Sequence, residues 1–234
     1  MIFVDTHVHL HRCFDLGLFL DSAAINFRSA TVAMTAGQSS PAILCLTEGM
    51  GAGAFGRLQQ LADSHTGAGD WTIASTRESI SLIASHRNHG SLIVIAGRQI
   101  RCAEGVEVLA LGTGLRFDDD VALDAAIDRI LAEGAVPVLP WGFGKWTGRR
   151  GRVIRQAMES RAPDRISLGD NSGRPAFWRE PAEFALARRL GLKILPGSDP
   201  PPSFCSIPYR YIFMKVPGRL RQDFNPVLLS SPVS

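Results

Sequence analysis

The sequence predicts a single α/β domain over residues 1–234, folded as a TIM-like (β/α) barrel that is seven-stranded or distorted. Three observations predict it. Short apolar runs alternate with helical patterns along the chain. A hydrophobic fraction of 45% against 20% charged residues is enough for one large core. Polar residues recur just after successive apolar runs, where barrels of this kind deliver their active-site groups.

The elements follow in order. Residues 2–4 read as a first strand ending at Asp5, and residues 20–36 as a helix. Residues 42–46 form an apolar second strand. Residues 54–64 place Leu58, Leu61 and Ala62 on one helical face. The middle departs from alternation: 71–74, 79–84 and 92–96 read as strands, with a turn at 86–90. Runs 99–103 and 106–111 flank Glu104-Gly105, the signal for an antiparallel hairpin. Residues 118–133 are a helix whose N-terminus Asp118, Asp119 and Asp120 favour, with Gly134 as its stop. Strands at 136–139, 166–168 and 193–195 then alternate with helices at 152–160 and 180–190. The tail from 203 is rich in Pro and Arg, with one more strand expected at 211–214.

Composition excludes several classes. A net charge of +3 is too mild to indicate nucleic acid as a partner. Cys13, Cys45, Cys102 and Cys205 contain no C-x-x-C pair and lack the spacing of a small disulfide scaffold. The N-terminus does not read as a signal peptide, and no apolar run reaches the length of a membrane span. The expectation is a cytoplasmic protein with a small-molecule substrate, no membrane partner and an oligomeric state that the sequence leaves open.

Collecting the residues after each strand gathers Asp5, His7 and His9; Thr47 and Glu48; Arg98 and Gln99; Trp141 and Lys145; Asp170 and Asn171; Ser198 and Asp199. His7 and His9 are the strongest feature. On an extended segment residues i and i+2 face one side, so both imidazoles can reach one ion. Neutral imidazole suits zinc, manganese or iron. Asp5 is a candidate to join them or to orient a ring. His86 and His89 read as solvated turn residues, His11 as an extra candidate ligand, and Glu104 and Glu107 as surface or hairpin residues. The segment 141–152 combines glycines with Lys145, Arg149, Arg150 and Arg152, which suits a phosphate-bearing substrate or, more plainly, an exposed loop. Arg174, in the turn-like segment 169–175, is a further candidate for substrate contact.

The opening FVDTHVHLH resembles the first motif of the amidohydrolase-type metal-dependent hydrolases, and the chain is most similar to the polymerase-and-histidinol-phosphatase (PHP) family among them. ILCLTEG, IAGRQIRCAEGVEVLALG, VPVLPWG and ILPGSDPPP resemble later segments of that family in order. The departures are specific: Glu48-Gly49 stands for an Asp-His pair, Gln99 for a bridging glutamate, Pro140-Trp141 for His-Pro, and Pro201 for the last histidine. The resemblance therefore carries over only His7, His9 and Asp199 as metal ligands, and implies one divalent ion per chain rather than a cluster. It implies a metal-dependent, phosphoesterase-like hydrolase with an incomplete ligand set. Asp199 is then ligand or general base, Lys145 the phosphate-stabilising catalytic cation, and Gln99, Arg149, Arg150 and Arg174 substrate contacts. Amidohydrolase-type C–N hydrolysis remains open. So does a barrel that has lost catalysis and serves as a binding or scaffold protein.

Overall fold

The computed structural model describes residues 2–35, 42–171, 180–199 and 219–220. Within them the order is β1 (Ile2–Val8), α1 (Leu16–Thr35), β2 (Ala42–Leu46), α2 (Ala54–Asp63), β3 (Thr72–Ser75), β4 (Ser81–His86), β5 (Gly90–Ile95), β6 (Gly97–Arg101) and β7 (Glu107–Leu111). There follow α3 (Leu123–Ala132), β8 (Val136–Trp141), α4 (Gly148–Ser160), β9 (Ser167–Asp170), α5 (Ala182–Arg189), β10 (Lys193–Pro196) and β11 (Arg219–Leu220). The strand expected at 211–214 lies outside the described residues.

These strands do not close into a barrel, which corrects the TIM-like expectation. They form two mixed sheets, ordered β11-β1-β2-β5-β4-β3 and β10-β9-β8-β7-β6. The chain is an α+β fold. The physical reason lies in its middle third. Barrel closure needs one continuous ladder. Here β3, β4 and β5 run as an antiparallel meander, and β6, β7 and β8 as another. These reversals end the first sheet at β3 and begin the second at β6. The parallel pairs β1–β2, β2–β5, β8–β9 and β9–β10 remain on either side.

The two sheets face each other across a shared core. Val4, Ile43, Cys45 and Ile95 of the first pack with Leu109, Leu111, Val138 and Leu195 of the second. The opposite face of the first sheet, with Phe3, Leu44 and Val94, packs on α1 and α2. That of the second, with Ile100, Val108, Leu139 and Leu168, packs on α3, α4 and α5. All five side chains of β2 are buried, as expected of a strand covered on both faces. Among the described residues, no helix is long and apolar enough to cross a membrane.

The three aspartates before α3 also depart from expectation. The helix begins at Leu123, and Glu104 accepts the Leu123 N–H at 3.1–3.2 Å. Asp119 accepts the Arg101 N–H at 3.0 Å, and Asp120 pairs with the Arg101 guanidinium at 3.3 Å. The hairpin-turn carboxylate thus caps the helix, and the aspartates tie the helix approach to β6.

Cys45 and Cys102 are free and buried. Burial pushes both thiols up, Cys102 to about 12. Since the thiolate is the reactive form, neither is expected to be alkylated in the folded protein at pH 8. Site-resolved mass spectrometry after iodoacetamide, with and without denaturant, checks this. Labelling of Cys45 in the native protein would contradict the packing described.

Candidate metal centre

The site begins with an irregularity in β1. Phe3 and Val8 both lie in the core that faces α1 and α2, although they are five residues apart. Strict alternation would put them on opposite faces. The register against β2 shifts between Asp5 and Val8. A local bulge re-aims the residues beyond it. His7 and His9 consequently turn toward the second sheet, where Gln99 sits opposite Leu109, a residue of the inter-sheet core.

Four polar atoms converge there. His7 Nε2 lies 3.1 Å from His9 Nε2 and 3.2 Å from Gln99 Oε1. Asp199 Oδ1 is 3.5 Å from His7 Nε2 and 3.4 Å from His9 Nε2. Zinc bonds of about 2.0–2.1 Å give ligand-to-ligand edges of about 3.3–3.4 Å in a tetrahedron. The three distances among His7, His9 and Asp199 bracket those edges. These residues form a group that can hold a metal ion.

The electrostatics agree with that donor set. Burial, ahead of every other influence, pushes both imidazoles down, His9 to about 4. Both rings are therefore neutral at pH 7 and offer lone pairs. Burial also pushes the Asp199 carboxyl up, but His7, Lys145, His9 and the Asn171 hydrogen bond outweigh it and leave it below its ordinary value. Two neutral imidazoles, a carboxylate and an amide oxygen make an acceptor-rich cluster, which a cation satisfies. His7 Nδ1 is buried and finds no hydrogen-bond partner among the described residues.

The supports of this cluster come from distant parts of the chain. The Asp199 N–H donates to His7 O at 2.8 Å. Thr6 Oγ1 donates to Pro196 O at 2.8 Å. Asp5 Oδ1 accepts the His7 and Ser198 N–H groups at 3.2 and 2.9 Å. Asp5 is therefore a brace between β1 and the 197–199 turn rather than a member of the ligand group, and burial raises its carboxyl to about 6. Asn171 Nδ2 donates to Asp199 Oδ2 at 3.3 Å. Asp199 itself adopts φ 45°, a region that is costly outside glycine. Gly197 lies against His7: a Cβ on it would stand 2.5 Å from His7 Cβ.

Other anticipated residues land elsewhere. Glu48 is buried, pairs with Arg98 at 2.6 Å and accepts the Phe55 N–H in the first turn of α2. Arg98 also donates to Leu115 O and Gly114 O. This pair anchors the ends of β2 and β6 beside Gln99. Glu48→Ala is expected to cost about 2–4 kcal/mol, because it strands a partly buried guanidinium and an amide. Urea melts of the variant check it, and a loss under about 0.5 kcal/mol, as at an ordinary surface site, would refute the anchoring role. Trp141 and Trp146 are buried in the helix-facing core of the second sheet. Arg149 is exposed, and Arg150 is exposed and donates to Gly144 O at 3.0 Å. Arg174 lies outside the described residues.

Lys145 bears on the site through its charge. Its charge acts on His7, His9 and Asp199. Its Nζ donates to Glu107 Oε2 at 2.8 Å. Sequence reasoning took Glu107 for a surface or hairpin residue; it does stand on the β6–β7 hairpin, but on its inward face. The available signal was period two: Glu107 shares a face of β7 with Leu109 and Leu111, which are in the inter-sheet core. Apolar residues at 108 and 110 hid that signal.

Asp21, His86 and His89 form a second group with ligand-like spacing. Its hydrogen bonds oppose a metal. His86 Nδ1 accepts the N–H groups of Asn88 and His89 at 3.0 and 3.1 Å, so the neutral ring carries its proton on Nε2, the atom facing Asp70 at 4.0 Å. Both rings also pack around Trp71, whose Nε1 donates to Asp21 at 2.9 Å. They are partly buried structural groups, not the solvated turn expected.

The fold and site together define an α+β protein of two facing mixed sheets, with a His-His-Asp group that can hold a metal at one end of the interface between them. No protein-family model and no curated protein sequence matches the chain. Its fold is similar to that of PsfC from Pseudomonas syringae PB-5123, known from a crystal structure. The two are 16% identical, with a TM-score of 0.51 over 84% of this chain and 75% of PsfC. That likeness concerns the fold alone.

Proposed function

We propose that the chain binds one divalent metal ion, zinc, manganese or iron, through His7, His9 and Asp199, and is a metal-dependent hydrolase of small-molecule phosphoesters. The observation that carries this reading is the convergence of His7 Nε2, His9 Nε2 and Asp199 Oδ1 within 3.5 Å of one another. When bound, such an ion supplies Lewis acidity and makes water a better nucleophile near neutral pH.

The chain's own residues supply the rest. Asp199 is assigned as a ligand rather than the general base: its Oδ1 faces both imidazoles and its Oδ2 is taken by Asn171. Gln99 adds a neutral oxygen without adding charge. A divalent ion would thus outweigh its protein ligands by one positive charge and favour an anionic substrate, with Lys145 adding to that field. A second reading, metal binding without turnover, is favoured by positions 140–141: Pro140 and Trp141, both buried, stand where the resembled family has His-Pro, so no imidazole is supplied there.

Metal analysis of tag-free protein beside the His7→Ala/His9→Ala double variant tests the centre. Near-stoichiometric metal, lost in the variant, is expected. Phosphoester and amide panels with the loaded protein then separate the readings. Phosphoester turnover abolished in the variant supports the proposal, and amide turnover alone moves the activity to C–N hydrolysis. Bound metal without turnover leaves the binding reading. No metal after incubation with zinc, manganese and iron overturns the centre.

A further inference from the structure

Glu107 pairs with Lys145 at 2.8 Å, and it stands on the face of β7 that carries Leu109, the residue opposite Gln99 of the His7–His9–Asp199 cluster. The sequence places them 38 residues apart, on β7 and on the loop between β8 and α4. The fold makes specific room for the pair. Lys145 runs its stem across Gly142, where a Cβ would stand 2.7 Å from Lys145 Cδ. The Lys145 N–H closes the turn onto Gly142 O at 3.0 Å. Beside the pair lies a cavity of about 120 Å³, lined also by Gly105, Pro140, Trp146 and Arg150. Glu107 and Lys145 both line it.

A lysine is a flexible cation with large rotamer freedom, so one that must meet an anion at a set place benefits from a fixed partner. Glu107 is such a partner. It is held on a strand, on the face that carries Leu109 and Leu111. Arg149 and Arg150, the other cations of the loop, are exposed.

We infer that Lys145 is the anion-binding residue of this site, and that Glu107 is the positioning residue that holds Lys145 beside the His7–His9–Asp199 group for a phosphate-sized anion. This rests on the proposed function only for the location of the anion. Glu107 needs an acceptor oxygen for that role, not its charge, because a hydrogen bond to Nζ suffices to hold the stem.

The test is calorimetric titration of inorganic phosphate into the full chain, zinc-loaded and zinc-free, for wild type, Lys145→Met, Glu107→Gln and Glu107→Leu. Lys145→Met and Glu107→Leu are each expected to weaken phosphate by about tenfold or more, the scale of one lost charge-assisted hydrogen bond. Glu107→Gln, which keeps a carbonyl oxygen for Nζ, is expected to stay within about threefold of wild type. Zinc stoichiometry and melting temperature, which a merely structural role would move, are expected to hold in all four. Phosphate binding unchanged in Lys145→Met, or absent from wild type, overturns the inference. Glu107→Leu binding as tightly as wild type, or Glu107→Gln falling as far as Glu107→Leu, overturns the positioning role. If wild type takes no zinc the metal centre fails, and the same ordering in the zinc-free protein still decides the inference.

Discussion

His9→Ala is expected to lower zinc affinity by more than about a hundredfold, since loss of an outer-shell partner alone costs about 10–100-fold. His9 is one of the three proposed ligands and stands 3.1 Å from His7 Nε2 and 3.4 Å from Asp199 Oδ1. Its removal leaves a buried imidazole and a carboxylate. The side chain is 18% exposed and outside the apolar cores, so the metal-free variant is expected to melt close to wild type. Competition against a chromophoric chelator reads the affinity. The pH dependence has a definite sign. An ordinary imidazole titrates near pH 6.5 and loses metal to protons below it. Burial pushes His7 down and His9 down to about 4. Zinc affinity is therefore expected to stay nearly flat from pH 8 to pH 6. A steep fall between pH 7 and pH 6 would show that the rings are not buried as described.

Gly97→Ala is expected to destabilise the chain by about 3 kcal/mol or more, or roughly 10 °C in melting temperature for a domain of this size. Gly97 opens β6 where the two sheets approach. A Cβ there would collide with the carbonyl oxygen of Leu46, in the first sheet, and stand 2.8 Å from that of Ala110, in the second. Both obstacles are backbone within ladders, Leu46 paired with Val8 of β1 and Ala110 with Arg98 of β6, so neither yields as a side chain would. The Glu48 N–H also donates to Gly97 O at 3.2 Å, which ties this point to the Glu48–Arg98 anchor. Gly56→Ala is the control. It lies in α2 with nothing within 4 Å of its Cβ position, and alanine there is expected to stabilise by up to about 1 kcal/mol. Equal melting temperatures for the two variants would mean that the sheets do not approach at Gly97.

Element existence was largely legible in the sequence because it depends on local pattern. The buried run 42–46, the helix beginning at Ala54 and the turn at Glu104-Gly105 all form at or within a residue or two of their expected positions. The juxtaposition of His7 and His9 was legible for the same reason, as two-residue spacing needs no distant information. Helix starts were less so. Three aspartates pointed to α3 beginning at 118, but the Glu104 cap places the start at Leu123.

The sequence by itself determined the strands and helices, the pair of imidazoles and the apolar surfaces that must be buried. Only the tertiary structure decided that the strands divide into two sheets. Each strand reads the same whether its neighbour runs parallel or antiparallel, and the choice depends on which edges meet. It also decided that Asp199 meets His7 and His9 across some 190 residues, that Gln99 joins them, that Glu48 is an anchor and that Glu107 pairs with Lys145. Those outcomes follow from sheet register and from one bulge in β1, which set where side chains separated along the chain come together, and a local pattern holds no record of either.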